Sequence, residues 1–202
     1  MEKEIAIYVD GSAINNENPN TPTLGGIGVA TFIHNVYENR KMEMLQKREG
    51  VHHYWSVRNH KVIDKVHNQL SYGAREAPFE IDLGKTTNNT TELAAIYGAL
   101  QMMKLTDMKG WKIVIYGDSQ YAGNLIFGNW KAKENKDLVR KIRSLADDMK
   151  RDYDIRWEYV KAHADDDYNN YADYLARSAA YNVDTAEILT FNDWSRKNQI
   201  AA

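Results

Sequence analysis

The 202-residue sequence predicts an α/β fold in which a mixed five-stranded sheet carries helices on both faces. Short apolar runs of strand length recur along the chain, and two of them end at an aspartate. Longer segments between these runs place their apolar residues at helical spacing. In chain order we expect three strands, a helix, a strand, helices, a strand and a helix, which is the pattern of one sheet covered by helices.

Three strands are expected before the first long helix. Residues 4–10 form an apolar run that ends at Asp10, and a loop rich in Asn, Thr and Pro follows at 13–24. Residues 25–33 predict the second strand, whose glycines suit a close approach by another part of the backbone. Residues 79–85 predict the third strand.

Helices dominate the second half of the predicted order. A helix is expected from about residue 90 to 105, and a short apolar strand follows at 112–116. The later elements are two helices, a strand, a third helix and a helical tail, at about 119–128, 138–149, 155–160, 168–181 and 184–199. We therefore expect one domain over residues 1–182 and a C-terminal helical tail over 183–202.

Composition and charge exclude several classes of protein. The chain has no cysteine, which excludes disulfides, thiolate catalysis and cysteine-ligated zinc. It has no apolar run long enough to span a membrane and no apolar signal core at its N-terminus, so we expect a cytoplasmic protein without a membrane partner. The net charge of −2 indicates that any contact with a polyanion depends on local basic patches.

Residues 35–78 are expected to be an insertion between the second and third strands that leaves the sheet at the end away from Asp10. The segment has a charge of +3, whereas the rest of the chain has −5. With Tyr54 and Trp55, this charge could bind nucleic acid or a partner such as a replication protein; a lid over apolar surface is the alternative. Histidines that recur there every seven residues are a weak metal signal: His53, His60 and His67.

Four acidic residues stand out because each lies in its own distinctive run of sequence. They are Asp10 in Ile-Tyr-Val-Asp-Gly-Ser, Glu92 in Thr-Thr-Asn-Asn-Thr-Thr-Glu-Leu, Asp118 in Ile-Tyr-Gly-Asp-Ser-Gln-Tyr and Asp173 in Asn-Tyr-Ala-Asp-Tyr-Leu-Ala. Asp10 and Asp118 end predicted strands, and parallel neighbouring strands would bring both carboxylates to one edge of the sheet. Glu92 is expected in the first turn of its helix, capped by Thr90 or Thr91.

Each of these acids alone has a plain structural explanation, as a turn former or as a complement to a helix dipole. Together they indicate something else, because clustered carboxylates repel. Two of them ~4 Å apart cost about 1 kcal/mol in water and about 4 kcal/mol at an effective dielectric constant of 20. A fold that gathers several normally does so around a divalent metal ion, so metal-assisted hydrolysis is the first hypothesis.

The motifs around these acids resemble those of type 1 ribonuclease H, over about residues 4–34 and 79–181. In order they are Asp10-Gly11-Ser12, Gly25-Gly26-x-Gly28, Thr86-Thr87-Asn88-Asn89-x-x-Glu92-Leu93, Asp118-Ser119-Gln120-Tyr121, Trp157-x-x-Val160-Lys161-x-His163-Ala164, and Asp173 with Leu175-Ala176-Arg177. The resemblance implies a ribonuclease H-like fold. It also implies an endonuclease that hydrolyses the RNA strand of an RNA–DNA hybrid and leaves 3′-hydroxyl and 5′-phosphate ends.

The resemblance further implies a metal site with two Mg²⁺ ions, for which Mn²⁺ may substitute. Their ligands would be the four acids, Asp10, Glu92, Asp118 and Asp173, with Asp10 between the two ions. Hard oxygen ligands suit these ions better than zinc. The resemblance gives His163 an assisting catalytic role, in proton transfer or product release; a solvated loop histidine is the alternative.

Substrate contacts are also implied by the resemblance. The positions are Gly11, Ser12, Thr87, Asn88, Asn89, Ser119, Gln120, Tyr121 and Trp130. Asn88, Asn89, Gln120 and Glu92 match positions that reach the minor groove of the hybrid, where 2′-hydroxyls distinguish RNA from DNA. Thr87 matches a position that holds a phosphate of the DNA strand, and ordinary helix-entry chemistry is the alternative for the two asparagines.

The chain departs from the family pattern in two places. After Trp130 many bacterial relatives carry a long basic protrusion, of which only three lysines remain here: Lys131, Lys133 and Lys136. Phe127 and Trp130 are both candidates for the aromatic residue that stacks on a DNA sugar, and either could be core. The acidic run at 165–167 could recruit metal or be solvated, and we favour the second.

Other functions stand beside this hypothesis. A ribonuclease H-like module that only binds nucleic acid is one, although the presence of all four acids argues against it. An integrase or a junction-resolving nuclease is another, although the Thr-Thr-Asn-Asn and Asp-Ser-Gln-Tyr runs favour ribonuclease H. A ribonuclease domain that works with a polymerase is the last, with any such link expected to be non-covalent or lost by excision.

Overall fold

The computed structural model describes residues 2–14, 23–39, 42–63, 80–104, 110–161 and 166–200. The strands within them are β1 (Glu2–Ile14), β2 (Leu24–Asn39), β3 (Met42–Arg58), β4 (Lys61–Ile63), β5 (Lys112–Gly117) and β6 (Asp154–Tyr159). The helices are α1 (Asn88–Lys104), α2 (Gln120–Ile126), α3 (Lys136–Met149), α4 (Asp167–Tyr181) and α5 (Phe191–Ile200), and a 3₁₀ turn covers Thr185–Glu187. None of the described helices is both long enough and apolar enough to cross a membrane.

The strands form one mixed sheet in the order β4-β3-β2-β1-β5-β6. β1 is antiparallel to β2 and parallel to β5, and β5 is parallel to β6. The parallel pair β5 and β6 needs a crossover connection, which α2 and α3 supply. The predicted α/β fold is confirmed, with six strands instead of five because β4 adds a short edge strand.

The third strand of the sheet is β3, which lies inside the segment that the sequence indicates as an insertion. It pairs with β2 along nearly its whole length. The expected third strand at residues 79–85 is wrong, because its described part makes only an isolated bridge between Asp82 and Lys61. The strand signal of β3 is hard to read because two adjacent histidines, His52 and His53, are both buried and break the alternation of polar and apolar residues.

Two expectations for residues 35–78 have different outcomes. β2 and β3 extend past the start of β1, at the end away from Asp10, as expected, but β3 then runs back along β2 and β4 lies at the end of the sheet near Asp10, so the segment does not simply leave the sheet. Tyr54 and Trp55 are buried on opposite faces of the sheet, so the expectation that they grip nucleic acid or a partner is wrong. Residues 64–78 lie outside the described residues, and binding of a replication protein by the rest of the segment stays a prediction.

The seven-residue spacing of histidines has structural explanations where the chain is described. The His53 ring stacks on Trp55 with 5.5 Å between ring centroids, and burial lowers the pKa of this histidine to about 4. His60 accepts a hydrogen bond at Nδ1 from the backbone N–H of Thr86 at 3.0 Å. His67 lies outside the described residues. Neither described histidine therefore supports the weak metal signal.

The two faces of the sheet have different cores. On one face, Ile5 and Ile7 of β1 pack with α1 in a largely aliphatic cluster. On the other face, Tyr8 packs with α4 in a cluster that is rich in aromatic rings, such as Phe32 and Tyr171. The two sets of β1 side chains alternate because successive residues of a strand point to opposite faces.

The C-terminal tail forms a helix that docks on the aromatic core, as the sequence indicates. Ile188 is buried, and Phe191 and Trp194 of α5 pack against the cluster that α4 covers. The hydroxyl of Tyr171 in α4 donates a hydrogen bond to the carbonyl of Leu189 at 2.9 Å. The tail therefore fixes the outer side of α4, the helix that carries one of the four acids.

Candidate active site

The carboxylates of Asp10 and Asp118 meet at one edge of the sheet. Asp10 lies in β1, and Asp118 directly follows β5, the parallel neighbour of β1. With Glu92 they offer three carboxylate oxygens that lie within 4.8 Å of one another. We call these three residues the acidic triad. It lies where open α/β sheets place their ligands, beyond the carboxyl ends of parallel strands.

Glu92 lies in the second turn of α1, and not in the first turn as expected, because the helix begins at Asn88. The helix is capped by Thr87, whose Oγ1 accepts from the backbone N–H of Thr90 at 3.2 Å. In return Thr90 Oγ1 accepts from the backbone N–H of Thr87 at 2.9 Å, as in a capping box. The expectation that Thr90 or Thr91 caps the helix is therefore wrong.

Gly11 sets the separation between β1 and α1 at the triad. A Cβ atom added there would overlap with the backbone of Thr91 and Glu92. Glycine is the residue that permits such a close approach, because it has no Cβ. The glycine after Asp10 is therefore what lets Glu92 reach Asp10.

Asp173 reaches the site from the opposite face of the sheet. A Cβ added at Gly28 of β2 would overlap with the Ala172 carbonyl and lie 2.8 Å from the Ala176 nitrogen, so this glycine admits α4. Asp173 does not belong to the triad of close oxygens. Its Oδ1 lies 3.4 Å from Nε of Arg177, one turn further along α4.

Burial and the neighbouring acids shift the protonation of Asp10 and Glu92. Burial, as the largest cause, and then the charges of Asp173 and Asp118 raise the pKa of Asp10 to about 8. Burial, followed by the charges of Asp10 and Asp118, also raises the pKa of Glu92 well above its usual range. A hydrogen bond from the backbone of Gly11 opposes both shifts. Asp173 thus acts electrostatically on the triad from outside it.

The triad fits a divalent metal ion. Desolvated carboxylates of like charge are costly in the ionised form, and a cation between them offsets that cost. The oxygens of the triad lie close enough together to contact one ion. A purely carboxylate ligand set is of the kind that Mg²⁺ and Mn²⁺ prefer, and it lacks the nitrogen and sulfur atoms typical of zinc sites.

The loop before α4 is described only in part. His163 and Asp165 lie outside the described residues, so the role of His163 stays a prediction. Asp166 is the N-cap of α4, and its Oδ1 accepts hydrogen bonds from the backbone N–H groups of Tyr168 at 3.0 Å and Asn169 at 3.1 Å. This acid thus has a structural role, in line with the favoured view that the acidic run does not recruit metal.

The residues expected to contact substrate lie on four segments of the described chain. They are Gly11 and Ser12 in β1, Thr87, Asn88 and Asn89 at the start of α1, Ser119, Gln120 and Tyr121 at the start of α2, and Trp130 after α2. Exposure separates them, since four are exposed in the protein: Asn88, Asn89, Gln120 and Trp130. Gly11 is buried, and its role is to permit the close approach of α1 to β1.

Three of these side chains also have partners within the protein. Ser119 caps α2 and accepts from the backbone N–H of Ala122 at 3.2 Å. Asn88 Oδ1 accepts from the backbone N–H of Ala13 at 3.0 Å, which joins α1 to the end of β1. The Tyr121 hydroxyl accepts from Asn135 Nδ2 at 3.3 Å. Ser119 thus has a helix-entry role, whereas the bond of Asn88 joins two elements and is not a helix cap, so the helix-entry alternative for the two asparagines stays a prediction.

The two aromatic candidates near α2 are distinguished by burial. The Phe127 ring is half-buried and stacks on Trp157 at 5.9 Å between centroids. The Trp130 side chain is 50% exposed. Of the two, Trp130 is therefore the ring that is available to a ligand.

Asn169 is a buried polar residue of α4 that the sequence analysis did not single out. It is 2% exposed, and among the described residues its Oδ1 has no hydrogen-bond partner. It precedes Asp173 by one helical turn, so the two side chains lie on the same side of α4. The four-residue spacing between Asn169 and Asp173 was the sequence signal that the two side chains share one side of the helix. An asparagine near a helix start is, however, also an ordinary capping residue.

Comparison with known proteins agrees with this geometry. The family model described as RNase H matches residues 65–181. A ribonuclease H of Chlorobium phaeovibrioides is 30% identical over 193 residues, which cover 89% of this chain and 97% of the relative.

The fold is similar to that of LC9-RNase H1, described as a type 1 RNase H with the type 2 active-site motif. The TM-score is 0.60 at 17% identity, over 96% of this chain and 82% of the other. It is also similar to LC11-RNase H1 in complex with an RNA/DNA hybrid, with a TM-score of 0.51 at 20% identity, over 88% of this chain and 97% of the other. At these identities the two structures support the fold alone.

Proposed function

The chain belongs to the ribonuclease H family, and from this premise we propose that it hydrolyses the RNA strand of RNA–DNA hybrids. The acidic triad is the observation that carries the proposal, since its three carboxylate oxygens lie within 4.8 Å of one another. The cut is internal to the RNA strand and leaves 3′-hydroxyl and 5′-phosphate ends. The similarity to a curated relative named ribonuclease H supports this choice of substrate.

The proposed cofactor is a pair of Mg²⁺ ions, for which Mn²⁺ can substitute. The ions would be held by Asp10, Glu92 and Asp118. Asp173, which lies outside this triad, would complete the set of ligands. When bound, two such ions supply Lewis-acid stabilisation of both the attacking and the leaving oxygen in an in-line displacement.

The protein's own residues have distinct parts in this proposal. Asp10 is central, because the charges of both Asp118 and Asp173 act on it and Glu92 hydrogen-bonds to it. Cation binding would ionise this carboxylate by offsetting the repulsion that raises its pKa. His163 is proposed to move a proton or to assist product release, as a helper and not as an essential group.

Substrate selection is proposed to come from the exposed polar and aromatic groups around the triad. The amides of Asn88, Asn89 and Gln120 would hydrogen-bond 2′-hydroxyls and base edges in the minor groove. Thr87 would line the pocket that holds a phosphate of the DNA strand. Trp130 would stack on the sugar of the DNA strand.

A cleavage panel tests the proposal. With Mg²⁺, labelled RNA in a hybrid should be cut internally, while double-stranded RNA and double-stranded DNA stay whole. Mass spectrometry of the products should show 3′-hydroxyl and 5′-phosphate ends. Cutting of duplex DNA at the same rate would overturn the substrate assignment. Tight binding of the hybrid without cutting, in Mg²⁺ or in Mn²⁺, would instead indicate a silent binding module.

A further inference from the structure

The connection between α2 and α3 presents Trp130 at the protein surface. This connection covers residues 127–135, and we call it the Trp130 loop. The Trp130 side chain is 50% exposed, and Lys131 and Lys133 beside it are exposed as well. An aromatic ring among cations is a combination that suits a nucleic-acid strand.

The loop has no regular secondary structure of its own, yet several contacts hold its backbone. The backbone N–H of Trp130 donates to the Asn124 carbonyl at 3.3 Å. Asn124 in turn donates from Nδ2 to the Gln120 carbonyl at 2.8 Å. These contacts join the loop to α2, but none of them reaches α3.

The last residue of the loop, Asn135, is the N-cap of α3, and Arg143 of α3 adds bonds from that helix to the middle of the loop. Its Nε donates to the carbonyl of Leu125, near the end of α2, and its Nη2 donates to the carbonyl of Trp130 at 2.5 Å. One guanidinium therefore joins three parts of the molecule: α3, α2 and the loop. The planar fork of an arginine suits two acceptors at once, whereas the single ammonium of a lysine does not reproduce that geometry.

We propose that Arg143 is a positioning residue for substrate binding, which holds the Trp130 loop so that the ring is ready to contact the hybrid. This inference rests on the proposed function. Its physical basis is preorganisation: a loop that is already fixed does not lose conformational entropy when the ligand binds. Arg143 itself is half-buried, and two of its N–H groups bond to carbonyls of the protein. The inference is that it acts through Trp130 and not by binding a phosphate.

Arg140 provides a matched control, because it lies one turn earlier on the same helix. Its side chain is 77% exposed, and it pairs with Asp137 at 2.8 Å. Arg140→Met removes the same charge from α3 as Arg143→Met does, without touching the Trp130 loop. A difference in hybrid affinity between the two variants therefore reports the loss of the Arg143 bonds to the loop and α2, and not the loss of a positive charge.

The experiment is a double-mutant cycle on the full chain. Affinity for a fluorescent RNA–DNA hybrid is measured by anisotropy in EDTA, where no cutting occurs. The proteins compared are the wild type, Trp130→Ala, Arg143→Met, the double variant that combines these two, Arg143→Lys and Arg140→Met. Loss of one aromatic stacking contact should weaken binding about tenfold in Trp130→Ala. Arg143→Met should weaken it about three- to tenfold, and the double variant should be no weaker than Trp130→Ala alone.

Four further readouts separate positioning from other roles. Arg143→Lys should bind about as weakly as Arg143→Met, because it keeps the charge but not the fork. The slope of log affinity against log salt should be unchanged in both, since a lost phosphate contact would reduce it by about one. With Mg²⁺, Arg143→Met should raise KM and leave kcat within about twofold. Arg140→Met should stay within about twofold of the wild type in affinity, as an exposed ion pair predicts.

Several results would overturn the inference. These are additive losses in the double variant, full binding by Arg143→Lys, an unchanged affinity in Trp130→Ala, or an Arg140→Met loss equal to that of Arg143→Met. If Arg143→Met does not fold, as judged by circular dichroism, Arg143→Lys enters the same cycle in its place. Failure of the proposed function would be seen separately, because the wild type would then leave the hybrid uncut in Mg²⁺.

Discussion

The two faces of the sheet deliver carboxylates to the site in different ways. On the aliphatic face, α1 is pressed against Gly11 and places Glu92 inside the close triad. On the aromatic face, α4 is pressed against Gly28 but leaves Asp173 outside the triad, paired with Arg177. Close packing of a helix on a glycine therefore has different results on the two faces: it places Glu92 within the triad and leaves Asp173 outside it.

This difference indicates a division of roles among acids that look equivalent in the sequence. Packing of the folded protein brings the three carboxylates of the triad together. A metal site built in this way forms when the protein folds. The carboxylate of Asp173 has a competing cation, Arg177, and acts on Asp10 through its charge. We expect the triad to set whether a cation binds and Asp173 to adjust how the bound site works.

The largest expected effect comes from comparing neutral, nearly isosteric variants of the two acids. Glu92→Gln should lower kcat by about a thousandfold or more, because several kcal/mol of charge stabilisation depends on the metal site. Asp173→Asn should cost only about ten- to a hundredfold, as loss of a ligand outside the triad. Cleavage rates at saturating Mg²⁺ measure both. Equal losses would remove the distinction between the triad and Asp173.

The next effect is a dependence of stability on pH in the metal-free protein. The folded protein raises the pKa of Asp10 from 3.8 to about 8, so the folded state holds a proton that the unfolded state releases. Stability should therefore fall as pH rises from about 4 to about 8, by an amount on the order of a few kcal/mol. Urea unfolding in EDTA at several pH values measures the slope.

Asp10→Asn is the control for this slope, since it removes one of the two carboxyl groups whose pKa is raised, the other being Glu92. The variant should lose part of the decline and be more stable than the wild type at pH 8 without metal. Mg²⁺ should raise the stability of the wild type much more than that of the variant. A wild type whose stability is flat over this range would show that the cluster is not strained.

A smaller effect is expected from adding one methyl group under each helix. Gly11→Ala and Gly28→Ala should each destabilise the fold by about 2–3 kcal/mol, because the new Cβ meets backbone atoms that cannot move aside cheaply. Gly84→Ala is the control: it has open space around it but a φ of +68°, so only about 1 kcal/mol of backbone strain is expected. Denaturant midpoints rank the three. Gly11→Ala should also weaken Mg²⁺ binding more than Gly28→Ala does. Equal losses of Mg²⁺ affinity would show that the two faces of the sheet do not differ in how they support the metal site.

The smallest effect is expected at Arg177. Its side chain is 64% exposed, so the pair with Asp173 should contribute less than about 1 kcal/mol, and Arg177→Met should change Mg²⁺ affinity by no more than about threefold. The change should be a tightening, because Asp173 loses a competing cation, and it should shrink in high salt. Calorimetric titration of Mg²⁺ measures it, and weaker binding in the variant would reverse the proposed competition.

The sequence was sufficient to predict the parts of the site that depend on local chemistry. The apolar run before Asp10 predicted the strand that carries this acid, although β1 continues to Ile14 and so extends into the expected loop at 13–24. The apolar run before Asp118 likewise predicted β5. The family resemblance is confirmed by the matching family model. The placement of Glu92 was wrong by one turn because Thr87 and Thr90 both have hydroxyls, and only their reciprocal hydrogen bonds show which one caps the helix.

Features that depend on contacts distant in sequence could not be predicted. Tyr54 and Trp55 look like exposed binding residues within a basic segment, yet pairing of β3 with β2 buries both. The two bonds from Arg143 join residues 13 and 18 positions away, and no local pattern indicates them. The division between Glu92 and Asp173 likewise depends on how far each helix carries its acid towards Asp10.

The order of strands has a consequence for synthesis of the protein on the ribosome. β1 is made first, but its parallel neighbour β5 begins at Lys112, and the helix that carries Asp173 comes later still. β1 therefore stays unpaired on this side until β5 has been synthesised. The set of four acids is complete only after translation has passed Asp173 in α4, so no shorter growing chain can assemble the proposed metal site.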